Sequence, residues 1–283
     1  MAKAPLKEPF RCSECGWSTS KWVGRCGECQ AWGSIDEGTR KLNVVAAGAV
    51  TATARPIGEV DLAAAQSRSS GVAELDRTLG GGLVPGAVVL LAGEPGVGKS
   101  TLLLTVAAES ARTGLTALYV TGEESTAQVR LRAERLSAIH PSLWLAAENE
   151  LSAVVAHIDA VKPDLLIIDS IQTMASAAVE GSPGGVTQVR EVANTAIRIA
   201  KDRGITVILV GHVTKDGSIA GPRLLEHLVD VVLNFEGDRH SRLRLVRSIK
   251  NRFGATDEVG CFDLHDGGIS GVTDPSGLFT TRH

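Results

Sequence analysis

Gly93-Glu94-Pro95-Gly96-Val97-Gly98-Lys99-Ser100 places two glycines, a lysine and a hydroxyl at the G-x-x-x-x-G-K-[ST] spacing of a phosphate-binding loop. Glycines let the backbone curl so that successive N–H groups point inward at phosphate oxygens. The start of a helix at Lys99-Ser100-Thr101 would add unpaired donors and a partial positive charge. Lys99 is placed to reach the β- and γ-phosphates, and Ser100 to offer its hydroxyl to Mg²⁺. The spacing implies a bound nucleoside triphosphate, with Gly93, Glu94, Pro95, Gly96, Val97, Gly98, Lys99, Ser100 and Thr101 as its phosphate seat.

A second chemistry lies near the N-terminus. Cys12-Ser13-Glu14-Cys15 and Cys26-Gly27-Glu28-Cys29 are two C-x-x-C pairs with ten residues between them. Each pair can put two thiolates on one tight turn, and together they make the four-sulfur shell that Zn²⁺ prefers. Four cysteine ligands leave no open coordination position, so the metal would be structural. The competing reading, a redox-active C-x-x-C, normally occurs once and beside a βαβ pattern. Trp17, Trp22 and Trp32 are expected to pack over the metal as a small core, with an exposed stacking surface as the alternative.

These groups need a scaffold. Val88–Ala92 is an apolar run ahead of the glycine loop, and Thr101–Leu104 starts a helix after it. Ala117–Val120 reads as a strand ending at Gly122-Glu123-Glu124, where a carboxylate is well placed to orient or deprotonate a water. Asp164–Asp169 is an apolar run closing on an acid suited to hold Mg²⁺ or its water. Val189–Lys201 has helical spacing, and Ile205–Val210 reads as a strand ending at Gly211-His212. Asp230–Glu236, Arg242–Ile249 and Glu258–Leu264 read as further strands. In Arg242–Ile249 the alternation of Arg242 and Arg244 with Leu243 and Leu245 predicts a basic outer face. A short helix is expected over Ser70–Leu79, stopped by Gly80-Gly81-Gly82. One short strand is expected at Leu42–Val45.

At 283 residues, with 43% hydrophobic and 22% charged residues, the chain has the composition of a globular protein with room for a large domain and a small satellite. A net charge of −3 gives no global attraction for nucleic acid, so any such contact must be local. No apolar run is long enough to span a bilayer, and the first residues lack a signal-peptide core, which points to the cytoplasm. The expected division is a zinc module at 1–33, a linker at 34–69, an α/β nucleotide-binding domain at 70–273 and the start of a further domain at 274–283.

The stretch Ser70-Gly71 … Leu79-Gly80-Gly81-Gly82-Leu83-Val84-Pro85-Gly86, running into the glycine loop, resembles the RecA-like ATPases. With the four-cysteine module and Lys250-Asn251-Arg252-Phe253-Gly254, it is most similar to their bacterial DNA-repair branch. The resemblance implies a RecA-like core with a mostly parallel sheet that binds and hydrolyses ATP to ADP with Mg²⁺. It assigns Glu123 as catalytic base, with Glu124 as the alternative. It makes His212 a γ-phosphate sensor, against the plainer reading of a histidine satisfied at a strand end. Lys215 and Arg223 would touch DNA from a loop. Lys250 and Arg252, two apart on an extended segment, would act across a subunit boundary as an arginine finger does. Single-stranded or branched DNA, a homo-oligomeric (hexameric) ring and the RecA recombinase are the implied partners, with no membrane. The implied activity is a DnaB-type helicase-like motor promoting branch migration in homologous recombination. In that branch a domain resembling the Lon protease follows, of which only the approach is present here. A KaiC-like protein, in which nucleotide state switches partner binding, is the alternative function. A small-molecule kinase is disfavoured by the lack of a lid segment or acceptor pocket.

Overall fold

The computed structural model describes residues 10–37, 53–60, 62, 65–212, 222–238 and 241–273. The strand expected at 42–45, the loop residue Lys215 and residues 274–283 lie outside the described residues. The chain divides into two compact units, Met1–Val60 and Asp61–His283.

In the small unit, β1 (Phe10–Cys12) pairs antiparallel with β2 (Ser18–Thr19) and with β3 (Ile35–Glu37). Strands of two or three residues cannot bury an apolar face of any size. The buried cluster is accordingly Cys12, Cys26 and Ile35, with Phe10, Trp17 and Val23 against it. Trp17 lies on Gly27, where an added Cβ would come within 2.9 Å of the indole. The expectation that all three tryptophans pack inward is corrected. Trp22 is 65% and Trp32 77% exposed, the latter with the Arg25 guanidinium 5.7 Å from its ring centre. A unit this small has room to cover one indole, and a metal shell takes the place of a larger core.

In the large unit α1 (Ala73–Leu79) begins three residues later than expected. The Ser70 N–H donates to Asp76 Oδ1 at 2.9 Å, and the Ser70 hydroxyl accepts from Val72 N at 3.2 Å, which holds Ser70–Val72 out of the helix. Gly80, with φ +82°, stops it. The chain then alternates strand and helix: β4 (Val88–Gly93), α2 (Lys99–Arg112), β5 (Ala117–Thr121), α3 (Thr126–Arg135), β6 (Leu143–Ala147), α4 (Leu151–Val161), β7 (Leu165–Asp169), α5 (Val186–Arg203) and β8 (Thr206–His212). A single turn, α6 (Pro222–Leu225), precedes β9 (Val231–Glu236), β10 (Leu243–Asn251), β11 (Val259–His265) and β12 (Gly268–Gly271).

The strands form one sheet in the order β12-β11-β10-β9-β4-β8-β7-β5-β6. From β9 to β6 the neighbours are parallel, and β10–β12 extend the sheet antiparallel. The central strands are unbroken apolar runs because both of their faces are covered. Leu91, Leu102, Tyr119, Ile167 and Phe235 share one core. Leu90, Leu118, Ile168, Val192 and Leu209 share the other. The helical spacing of Val192, Ala196 and Ile199 indeed buries one face of α5. At the far edge, Trp144 of β6 is 52% exposed.

One strand is turned the other way from expectation. In β10 it is Arg244, Val246 and Ser248 that are buried, while Leu243 and Leu245 are half-buried and Arg247 and Ile249 exposed. Arg244 is not on a basic outer face; its guanidinium reaches the carbonyl of Val97 in the glycine loop. Arg242 does lie outside, paired with Asp263 at 2.5 Å.

Candidate functional site

Parallel strands that all run the same way bring their carboxyl ends to one edge of the sheet, where a crevice forms. The glycine loop joins β4 to α2 at this edge. Gly93 sits so close to β9 that a Cβ would fall 2.4 Å from Phe235 O, and Gly98 holds φ at +109°. Lys99 is buried, its ammonium donating to Gly93 O and Glu94 O at 2.8 Å each. Burial pushes that ammonium down to about 8, against the opposing charges of Asp169 and Glu123.

The ends of β5, β7 and β8 converge on Glu123. The Thr121 hydroxyl accepts from Glu123 N at 3.3 Å and Glu124 N at 3.0 Å, fixing the turn after β5. Glu123 Oε1 then accepts from the Ser170 hydroxyl at 2.8 Å and lies 2.9 Å from His212 Nε2. Burial alone would push the Glu123 carboxyl up, but the bonds from Ser170 and His212 and the charge of Lys99 hold it below its ordinary value. Glu124 points elsewhere and pairs with Arg132 of α3. Among the described residues the buried Nδ1 of His212 has no partner, so the ring's polar contact there is the one to Glu123. Asp169, buried at the end of β7, accepts from the Tyr119 hydroxyl at 2.5 Å, and Ser100 also acts on that hydroxyl. A carboxylate and a hydroxyl gathered around one point are oxygen donors of the kind Mg²⁺ takes, so the residues fit that ion. Ser170 was readable in principle, as a hydroxyl next to the acid of Asp169. Tyr119 and Arg244 carry no motif.

The four thiols of the small unit lie within 4.8 Å of one another, with Cys12 Sγ 3.7 Å from Cys29 Sγ and Cys15 Sγ 3.6 Å from Cys26 Sγ. A tetrahedron with Zn–S bonds of about 2.3 Å has edges of about 3.8 Å, so the donor set fits zinc. The spacing is also far longer than a disulfide, and all four are free thiols. Ser34 Oγ, 3.3 Å from Cys12 Sγ, holds that thiol down to about 6.

Lys250 and Arg252 are not part of the crevice. Lys250 pairs with Val232 and Asn251 with Val231, at the opposite end of the sheet. The Lys250 ammonium donates to Glu226 O and Val229 O at 2.7 Å each, and Arg252 Nη1 lies 3.1 Å from Asp230 Oδ1. Asp230 also accepts from Val88 N at 3.0 Å, at the first residue of β4. Five residue steps of strand separate Val88 from Gly93, about 17 Å. Asn251 Nδ2 donates to Leu79 O at 3.0 Å, and Gly254 packs on Gly80, where a Cβ would meet its Cα at 2.9 Å. Thus Asn251 and Gly254 dock the segment on α1, while Phe253 is 42% exposed. Of the expected DNA contacts, Arg223 belongs to α6.

Residues 54–218 match the family described as AAA domain, and residues 10–37 match the rubredoxin metal binding domain. The chain is 56% identical over 290 aligned residues to the DNA repair protein RadA of Mycolicibacterium smegmatis, covering 99% of this chain and 62% of that one. It is 54% identical to DNA repair protein RadA of Mycobacterium tuberculosis, strain CDC 1551 (98% and 59% covered), and 45% identical to that of Listeria monocytogenes (99% and 62%). The chain thus spans about three fifths of the length of these curated relatives. With a glycine loop and an acid-tipped β7 on a mostly parallel sheet, the chain belongs to the AAA domain family.

Proposed function

We propose that the chain is the zinc-bearing ATPase portion of a DNA-repair motor, hydrolysing ATP in response to DNA and promoting branch migration as DnaB-type motors move strands. The observation that carries this reading is the Glu123 carboxylate, held by Ser170 and His212 at the mouth of the crevice that Lys99 and Asp169 line. Two donors on Oε1 leave Oε2 to take a proton from the attacking water. Lys99 balances charge on the β- and γ-phosphates, and the loop N–H groups of Gly96–Thr101 cradle them. Ser100 and Asp169 would hold Mg²⁺, which supplies charge neutralisation when bound. His212, bonded to the base, is suited to report the γ-phosphate through that bond.

Lys250 and Arg252 belong to the neighbouring subunit's site in this reading. Their distance from their own glycine loop supports action in trans in a homo-oligomeric ring. Lys215 and Arg223, in or beside the loop after β8, are the proposed DNA contacts. The names of the relatives support a role with DNA; single-stranded or branched DNA as the ligand and a working association with the RecA recombinase are part of the proposed reading. Among the described residues no helix is long and apolar enough to cross a membrane, in keeping with a cytoplasmic site of action.

The test is the ATPase rate of the purified chain with and without single-stranded DNA. Stimulation by DNA is expected. A rate indifferent to DNA, with nucleotide-dependent capture of a protein partner instead, would replace the motor by a KaiC-like switch.

A further inference from the structure

We propose that Arg244 is a positioning residue of the nucleotide site, which aims the Gly98 amide at the phosphates and supplies buried positive charge behind the loop. Arg244 is 6% exposed. Its Nε donates to Val97 O at 2.8 Å, and its Nη1 lies within 3.1 Å of Asp238 O, 2.7 Å of Ser241 O and 2.9 Å of Leu243 O. All of these acceptors are backbone carbonyls. Among the described residues no carboxylate stands within ion-pair distance of the guanidinium, unlike Arg242, Arg247 and Arg252 on the same segment.

Two physical consequences follow. In a planar trans peptide the C=O and the next N–H point in opposite directions. Pinning Val97 O against Arg244 therefore turns the Gly98 N–H away from β10, towards the seat that the loop amides form. Gly98 completes the turn with a φ of +109°, which only glycine adopts without strain. The second consequence is electrostatic. The guanidinium is met by carbonyl dipoles, which offset only part of the cost of burying a cation. A polyphosphate in the loop's seat brings negative charge that lowers that cost. Arg244 also lines a cavity of about 760 Å³ between the glycine loop and β10–β12, with Gly96, Gly98, Thr101, Arg135, Arg242 and Asp266.

Gly237 leaves the space in which the guanidinium lies. A Cβ there would fall 2.3 Å from Arg244 Cδ, 2.8 Å from Nε and 2.9 Å from Nη1, and would meet no other residue as closely. Gly237→Ala thus moves the guanidinium without removing it.

This inference rests on the nucleotide-binding reading of the loop, so the experiment separates the two. ADP binding by calorimetry and ATP turnover are measured on the zinc-loaded chain, its Lys99→Ala control, Arg244→Gln, Arg244→Lys and Gly237→Ala. Arg244→Gln is expected to weaken ADP binding at least ten-fold and to raise KM by a similar factor, with a smaller fall in kcat. Arg244→Lys, which keeps the charge but not the fork of donors, should recover part of the loss, and Gly237→Ala should fall between. If Arg244→Gln does not fold, as judged by circular dichroism, Gly237→Ala decides the matter. Unchanged ADP affinity and KM in the folded Arg244→Gln chain, or in Gly237→Ala when that variant decides, overturn the inference. In that case Lys99→Ala still abolishes binding if the loop reading is right. An unaltered chain that binds no ADP overturns the loop reading and this inference with it.

Discussion

The two ends of the sheet carry charge in different ways. At the carboxyl end Lys99, Glu123, Asp169 and His212 face one another across a crevice, and the charges of Lys99 and Glu123 act on each other. At the amino end the cations are occupied by their own chain, Lys250 by two carbonyls and Arg252 by Asp230. Among the described residues nothing at that end resembles a phosphate seat. A group placed to meet its substrate within one chain needs partners that tune it. A group destined for another subunit needs only to be held steady until that subunit arrives. The proposed trans role of Arg252 turns this contrast into measurements.

The largest effect is expected from the amino end. Arg252→Ala should lower turnover by about 10³–10⁵ while leaving ADP affinity nearly intact, since a finger acts on the transition state. Mixing Lys99→Ala chains with Arg252→Ala chains should then restore part of the rate, because some interfaces join an intact loop to an intact finger. Mixed rings with no recovery would collapse the distinction between the two ends.

At the carboxyl end, Glu123→Gln should cut the rate by about 10²–10⁴ with ATP binding retained, as expected for loss of a general base. Glu124→Gln, whose carboxylate is engaged by Arg132, should stay within a few-fold of the parent. The reverse pattern would transfer the base to Glu124. Smaller still, Asp230→Ala removes the partner of Val88 N and of Arg252 and leaves a buried N–H unsatisfied. A loss of about 1–3 kcal/mol in denaturant unfolding is expected. Should Asp230→Ala also reduce turnover far beyond what its stability explains, Asp230 orients the finger as well as anchoring the strand.

Features set by residues adjacent in the chain were legible in advance. The glycine loop, the acid ending β7 and the paired cysteines have local spacing that already fixes their geometry. The choice between Glu123 and Glu124 was open in the sequence because both sit on one turn; it is the direction of Arg132, on the next helix, that separates them in space. Arg244 was misread for a different reason. Strand alternation gives two faces but not which is inward, and Leu243 and Leu245 suggested the wrong one. The carbonyls of a turn and of the glycine loop needed donors, and an arginine met them. Trp22 and Trp32 were misplaced because apolar residues in a very small unit outnumber the places that can cover them.

The arrangement of indoles also makes the molecule report on itself. Three of the four tryptophans belong to the small unit, and Trp144, the one in the large unit, stands half in solvent on β6. Within the large unit, Trp144 lies on the edge strand, four strands away from β4 and its glycine loop. Emission from this chain is therefore dominated by solvent-accessible rings open to a soluble quencher such as acrylamide, with Trp17 as the shielded minority. A change in Trp17 shielding registers the state of the thiol cluster. Zinc loading can thus be followed by light, and nucleotide loading by heat.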